Sequence, residues 1–195
     1  TLFVKRDGSL WAMGSNSAGQ LGDGTIINRK SPVQVASHVV AVSAGSQFSL
    51  FLREDGTLWG MGVHSNNQLG LGYGGNTTVA GIVYSTAYPQ TYKPSLIASG
   101  VVAAAAGDKN SLFVKSDHTL WYAGGDRIFP RKVADQVVAA ATGGLSLYVK
   151  NDGTLWKVLD TNNWSVSQLA DPVAPGCGSK VTAVAASDFA LYTYK

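Results

Sequence analysis

One five-residue tag recurs four times along the chain, as Asp7-Gly8-Ser9-Leu10-Trp11, Asp55-Gly56-Thr57-Leu58-Trp59, Asp117-His118-Thr119-Leu120-Trp121 and Asp152-Gly153-Thr154-Leu155-Trp156. A short unit repeated in fixed order marks a repeat architecture, whose copies bury their apolar faces only against one another. Each tag runs into a glycine-rich turn, then a Pro-Val or similar step, then a valine-rich run and a short strand that leads to the next tag. The valine-rich runs begin at Val39, Val101, Val137 and Val181. The strands that close each unit read Ser49-Leu50-Phe51-Leu52, Ser111-Leu112-Phe113-Val114, Ser146-Leu147-Tyr148-Val149 and Ala190-Leu191-Tyr192-Thr193.

Asp-Gly between two apolar, β-prone stretches is a strong hairpin signal, because glycine supplies the positive φ that a tight turn needs. Leu50-Phe51-Leu52 is therefore expected to fold back through Glu54-Asp55-Gly56 onto Leu58-Trp59. At Asp117-His118 the glycine is missing, so a looser turn or another turn type is expected there. The tag aspartates are expected to bond nearby backbone amides and fix the turns. Nowhere do apolar residues keep a helical period. The run Ala103-Ala104-Ala105-Ala106 has helical propensity, but sister copies place Val and Ser in the same slots, so it reads as an inner strand where crowded sheets leave no room for bulk. The fold class is all-β.

Successive tags lie 48, 62 and 35 residues apart, close to the spacing of four-stranded propeller blades. Leu10-Trp11-Ala12-Met13-Gly14-Ser15-Asn16 through Gly19-Gln20-Leu21-Gly22-Asp23-Gly24, and Leu58-Trp59-Gly60-Met61-Gly62 through Asn67-Gln68-Leu69-Gly70-Leu71-Gly72, resemble the repeats of the regulator of chromosome condensation family. Pro32-Val33-Gln34-Val35 and Gln47-Phe48-Ser49-Leu50 continue the likeness. It thins in later units: Trp121-Tyr122-Ala123-Gly124-Gly125 lacks the Gln-Leu-Gly loop, and Trp156-Lys157-Val158-Leu159 lacks the glycine as well.

The resemblance implies a β-propeller, of about seven blades in that family, with about four visible here. It implies roles as exchange factors for a small GTPase, protein inhibitors or docking platforms. The exchange-factor role rests on acidic, histidine and loop residues that match no position of this chain. Residues 1–195 read as one propeller array, with units at about 7–54, 55–116, 117–151 and 152–195, and residues 1–6 ending a preceding unit. The closing strand occurs five times, counting Thr1-Leu2-Phe3-Val4-Lys5, while the tag occurs four times. A part of a longer propeller is the expectation. A four-bladed ring with a redundant strand and head-to-tail assembly through raw sheet edges are the alternatives.

Composition narrows the function. The charge of +3, from 15 Lys+Arg and 12 Asp+Glu, is too small and too dispersed for a nucleic-acid surface. No segment approaches the roughly 18 apolar residues of a membrane span. Cys177, the single cysteine, allows no intramolecular disulfide and no thiolate cluster. It reads as an incidental loop thiol, with an intermolecular or redox role as the alternative. Low charge and abundant small polar residues lean toward a secreted or cell-surface bacterial protein. Asn76-Thr77-Thr78 and Asn163-Trp164-Ser165 have the form of glycan acceptors in loops.

His38, His64 and His118 show no metal-pair spacing and fall in predicted loops or turns. The glycines around Ser15 and the run Gly70-Leu71-Gly72-Tyr73-Gly74-Gly75 lack the following helix that nucleophile-elbow or phosphate chemistry requires. No catalytic residue, cofactor or metal site is expected. The stretch from Tyr73 to Pro94 breaks the repeat. Its Tyr73, Tyr84, Tyr88 and Tyr92, set among small polar residues, have the chemistry of a binding loop, although such tyrosines also serve to pack a loop onto its own blade. Trp164, the fifth tryptophan, is a second candidate contact or a displaced packing residue.

The expected function is a non-catalytic interaction module presenting loops to a protein or glycan partner. A structural subunit assembling through blade edges, and an exchange factor by fold analogy alone, are the alternatives.

Overall fold

A computed structural model describes residues 1–72, 77–79, 82–84, 90–158, 166–170, 181–186 and 190–194, with side chains described for 1–72, 90–126, 128–158 and 166–167. The described residues form strands and turns and no helix. The first sheet holds β1 (Leu2–Val4), β2 (Leu10–Gly14) and β3 (Arg29–Ala36). The second holds β4 (Val39–Ala44), β5 (Phe48–Arg53), β6 (Leu58–Val63) and β9 (Gln90–Ala98), and between its last two strands rises a separate hairpin of β7 (Thr77–Val79) and β8 (Ile82–Tyr84). The third sheet comprises β10 (Val101–Ala106), β11 (Asn110–Lys115), β12 (Leu120–Gly124) and β13 (Arg127–Ala134). The fourth comprises β14 (Val137–Thr142), β15 (Ser146–Lys150), β16 (Leu155–Val158) and β17 (Val166–Ala170), and a last pair joins β18 (Val181–Ala186) to β19 (Ala190–Tyr194).

Each sheet is an antiparallel meander in chain order, the construction of a propeller blade. The valine-rich run is the first strand of its sheet and the tag opens the third, so the blades begin at Val39, Val101 and Val137 and the tags fall inside them. The alanine run is strand β10, as the sister copies imply.

The core is divided among the seams between sheets. Leu10, Val39, Phe51 and Met61 fill the first seam. Leu50, Leu52, Val101 and Phe113 are among those filling the second, and Leu112, Val114, Val137 and Tyr148 are among those filling the third. Neighbouring residues of one strand thus serve opposite seams, which is why β5 is apolar and buried almost throughout rather than alternating. Outermost strands carry Pro32, Pro94 and Pro130, a residue that donates no ladder bond and suits an edge.

Candidate interaction surface

The tag is a closed polar relay. Asp7 Oδ1 accepts from the Ser9 amide at 2.9 Å and the Ser9 hydroxyl at 2.6 Å, and Ser9 Oγ in turn accepts from Trp11 Nε1 at 2.8 Å. The same relay links Asp55, Thr57 and Trp59, then Asp117, Thr119 and Trp121, then Asp152, Thr154 and Trp156. The hydroxyl bond is the main reason each tag carboxyl is held below the usual aspartate value, with the amide bond next. The tag's Ser/Thr and Trp are therefore defined by one small network.

Every tag turn is a three-residue loop whose last member is left-handed. Lys5 N donates to Ser9 O and Gly8 N to Lys5 O, both at 3.0 Å, with Gly8 at φ 76°. The expectation of a looser turn at Asp117-His118 is not met. His118 takes φ 62° and keeps both bonds, His118 N to Lys115 O and Lys115 N to Thr119 O, at 2.9 Å. Histidine tolerates this region better than most residues, and the turn's remaining contacts hold it there.

These turns also stitch blade to blade. Gly8 O accepts from Val39 N, Gly56 O from Val101 N and His118 O from Val137 N, each at 2.9 Å. The two-residue links before those valines contain left-handed His38, Gly100 and Gln136, whose carbonyls accept from Glu54, Ser116 and Asn151 in the next tag turn. A cation lies over each tag tryptophan: Lys5 at 3.8 Å from the Trp11 ring centre, Arg53 at 4.8 Å from Trp59, Lys115 at 4.7 Å from Trp121 and Lys150 at 4.6 Å from Trp156. These cations hold a fixed place two residues before each tag aspartate, a signal present in the sequence itself.

At the opposite end the Gln-Leu-Gly loops act as clasps. Asn16 is fully buried; its Oδ1 accepts from Leu21 N and its Nδ2 donates to Asp23 Oδ1 and Thr25 O. Burial alone would raise the Asp23 pKa, but the Thr25 hydroxyl and the Arg29 ion pair hold it below the ordinary value. So built, the loop reaches into the second sheet: Gln20 O accepts from the Ser49 hydroxyl at 2.9 Å and Gly24 N donates to Tyr92 O at 2.9 Å. The second clasp repeats this on the third sheet, with the Ser111 hydroxyl donating to Gln68 O at 2.7 Å and Gly72 N to Ile128 O at 2.8 Å. His64 stands where Asn16 stands in the first clasp and is almost fully buried, which pushes its pKa down. His38 lies in a blade link, His118 in a tag turn and His64 in a clasp, the loop and turn positions expected.

Tyr92 is in β9, not in the long loop. Its ring covers Gly19 of the first clasp so closely that a Cβ there would lie 2.6 Å from Cδ1, and its hydroxyl accepts from Gln90 Nε2 at 2.9 Å. Tyr84 ends β8, paired with Thr77. Tyr73, Tyr88, Trp164 and Cys177 lie outside the described residues. The structure thus brings Tyr92 against a clasp and puts Tyr84 on the inserted hairpin. No group of three His, Cys, Asp or Glu side chains able to hold a metal occurs among the described residues, and among them no helix is long and apolar enough to cross a membrane.

Residues 7–52 and 39–68 match the regulator of chromosome condensation (RCC1) repeat. No curated protein matches the chain in sequence. Solved structures share the fold. Yeast RCC1 (Prp20), seen bound to Kap60, aligns over 97% of this chain and 50% of its own at 17% identity and TM-score 0.74. Prp20p from Saccharomyces cerevisiae, described with its binding to Gsp1p and histones, aligns over 95% of this chain and 51% of its own at 16% identity and TM-score 0.71. Human WBSCR16 aligns over 80% of this chain and 44% of its own at 18% identity and TM-score 0.65. The chain thus spans about half the length of the structures it matches, and identities this low speak to the fold alone.

Proposed function

From the premise that this chain carries RCC1 repeats and folds into propeller blades, we propose that it is a non-catalytic interaction module that presents rim loops to a protein or glycan partner. One observation carries the reading. Residues 64–89 join β6 to β9 and raise their own hairpin, whereas 125–126 join the equivalent strands β12 and β13 of the next blade. The scaffold repeats, and this connection departs from it.

The repeated polar groups support the same reading. Each tag aspartate is bonded within its own turn, and the clasp polar groups are consumed in seating the loops. Tyr84 on the hairpin, together with Tyr73 and Tyr88 beside it in sequence, supplies the rigid amphipathic side chains that suit such a surface. Trp164 is a second contact in the same proposal. A protein partner accords with Prp20p, described with its binding to Gsp1p and histones. A secreted or cell-surface setting belongs to the proposal and is supported by charged residues making up only 14% of the chain; loss of the protein from intact cells on external protease treatment tests it.

The test of the interaction is the double substitution Tyr84→Ser and Tyr88→Ser in the full-length protein. Capture of a cross-linked partner should fall about tenfold with the melting temperature unchanged. Undiminished capture removes the insertion as the contact surface. Tyr92→Ser serves as the contrast: it should lower the melting temperature, because Tyr92 packs the first clasp.

A further inference from the structure

A groove of about 400 Å³ opens along the seam between the first and second sheets, its lining including Asp23, Val35, Arg53, Trp59, Lys93 and Pro94. Its size is that of a pocket for a small ligand or for one or two side chains of a partner.

The charges in this groove do not cancel. Asp23 is the one acidic side chain in the lining, and both its oxygens are committed, Oδ2 to Arg29 and Oδ1 to Asn16 and Thr25. Neither Arg53 nor Lys93 enters an ion pair among the described residues. Arg53 Nε is buried without a hydrogen-bond partner. Asp55 feels the Arg53 charge only as a minor influence beside its bonds to Thr57.

The position is also singular within the repeat. Lys5, Lys115 and Lys150 lie over the tryptophans of the other three tags, and an arginine replaces them only here. A lysine is a point charge. An arginine offers a planar fork that meets a carboxylate through two parallel bonds.

We propose that this groove binds an acidic peptide segment of a partner protein, with one carboxylate taken by Arg53 and Lys93 and the flanking aliphatic chain laid on Trp59, Val35 and Pro94. The proposal rests on the reading of the chain as an interaction module and adds a partner chemistry to it. The apolar flank and the small overall charge of +3 favour a peptide over a nucleic-acid polyanion.

The probe is a fluorescein-labelled hexaglutamate peptide titrated against the full-length protein by fluorescence anisotropy at low salt. Arg53→Lys and Lys93→Ser should each weaken binding about tenfold, while Lys109→Ser, away from the groove, should leave it unchanged. Arg53→Lys installs the residue that the sister repeats use, so its melting temperature should match that of the parent. Unchanged affinity in both groove variants overturns the proposal. So does equal binding of hexalysine, or tighter binding of a single-stranded oligonucleotide than of the peptide. The two readings fail separately. Groove variants that bind the peptide like the parent, with partner capture still lost in Tyr84→Ser/Tyr88→Ser, remove the groove alone. Peptide binding lost in Arg53→Lys, with normal capture by the tyrosine variant, removes the insertion alone.

Discussion

The second and third seams use the same serine in different ways. Ser111, which opens the closing strand of the third blade, donates its hydroxyl to Gln68 O in a clasp that crosses from the blade before. Ser146 occupies the matching place in the fourth blade, but the third blade has no clasp, since residues 125–126 turn β12 straight into β13. Ser146 bonds instead to Asn110 Nδ2 at 3.1 Å and Thr142 Oγ1 at 2.8 Å, while Thr142 donates to Asn110 Oδ1 at 2.7 Å. One seam is held by a loop and the other by a knot of three side chains. A polar group at a blade junction must be satisfied, and the repeat meets that demand from whichever side has atoms to offer.

The largest effect should come from the crowding beneath a clasp. A Cβ at Gly62 would lie 2.4 Å from Gln47 O and 2.7 Å from Phe48 Cα at φ 104°, so Gly62→Ala should cost about 3 kcal/mol in denaturant unfolding. Asn16→Ala should cost about 2 kcal/mol by orphaning Leu21 N and Thr25 O, with hydrogen exchange rising in residues 15–28 while the third seam keeps its protection. Thr142→Val, which dissolves the side-chain knot, should cost about 1 kcal/mol and show the opposite exchange pattern. If Asn16→Ala and Thr142→Val loosen the first and third seams equally, a clasp and a side-chain knot are not separate structural devices.

A pH experiment sharpens the comparison further. His64 is buried in the second clasp with its pKa pushed below the ordinary 6.5 by desolvation. The folded state therefore binds fewer protons than the unfolded state between those two values, and the stability tied to the neutral ring is lost as pH falls below about 6.5. Exchange in residues 64–72 should rise on acidification while residues 15–28, built on Asn16, hold. His64→Asn should flatten that dependence.

Much of this fold is legible in the sequence because its determinants are local. Asp-Gly between apolar stretches encodes a hairpin, and the tag's Ser/Thr and Trp encode the relay that braces it. His118 escaped that reading since a turn held by backbone bonds within it and to the neighbouring blades, and by the Asp117-Thr119-Trp121 relay, tolerates a residue whose own preference is weaker. The clasps escaped it for a different reason. Gln20 and Gln68 act through backbone carbonyls on a neighbouring blade, and no local pattern announces a partner about thirty to forty residues away. Tyr92 looked like part of the inserted loop because β9, at Gln90–Ala98, starts earlier than the Pro-Val step suggested. The cations above the tryptophans have a local signature, a Lys or Arg two residues before each tag aspartate, but what they cover is set by the fold of the hairpin.

The stitch that runs from tag turn to following valine has a consequence for how such a chain can change over time. Its acceptor is a main-chain carbonyl and its donor a main-chain amide, so the seam asks for a backbone shape and is indifferent to most side chains that can adopt it. Histidine at 118 already satisfies it. Copies can therefore diverge one by one, as the later units have, while the blades stay in phase. Identities of 16–17% beside TM-scores of 0.71–0.74 are what such a backbone-written junction would leave behind.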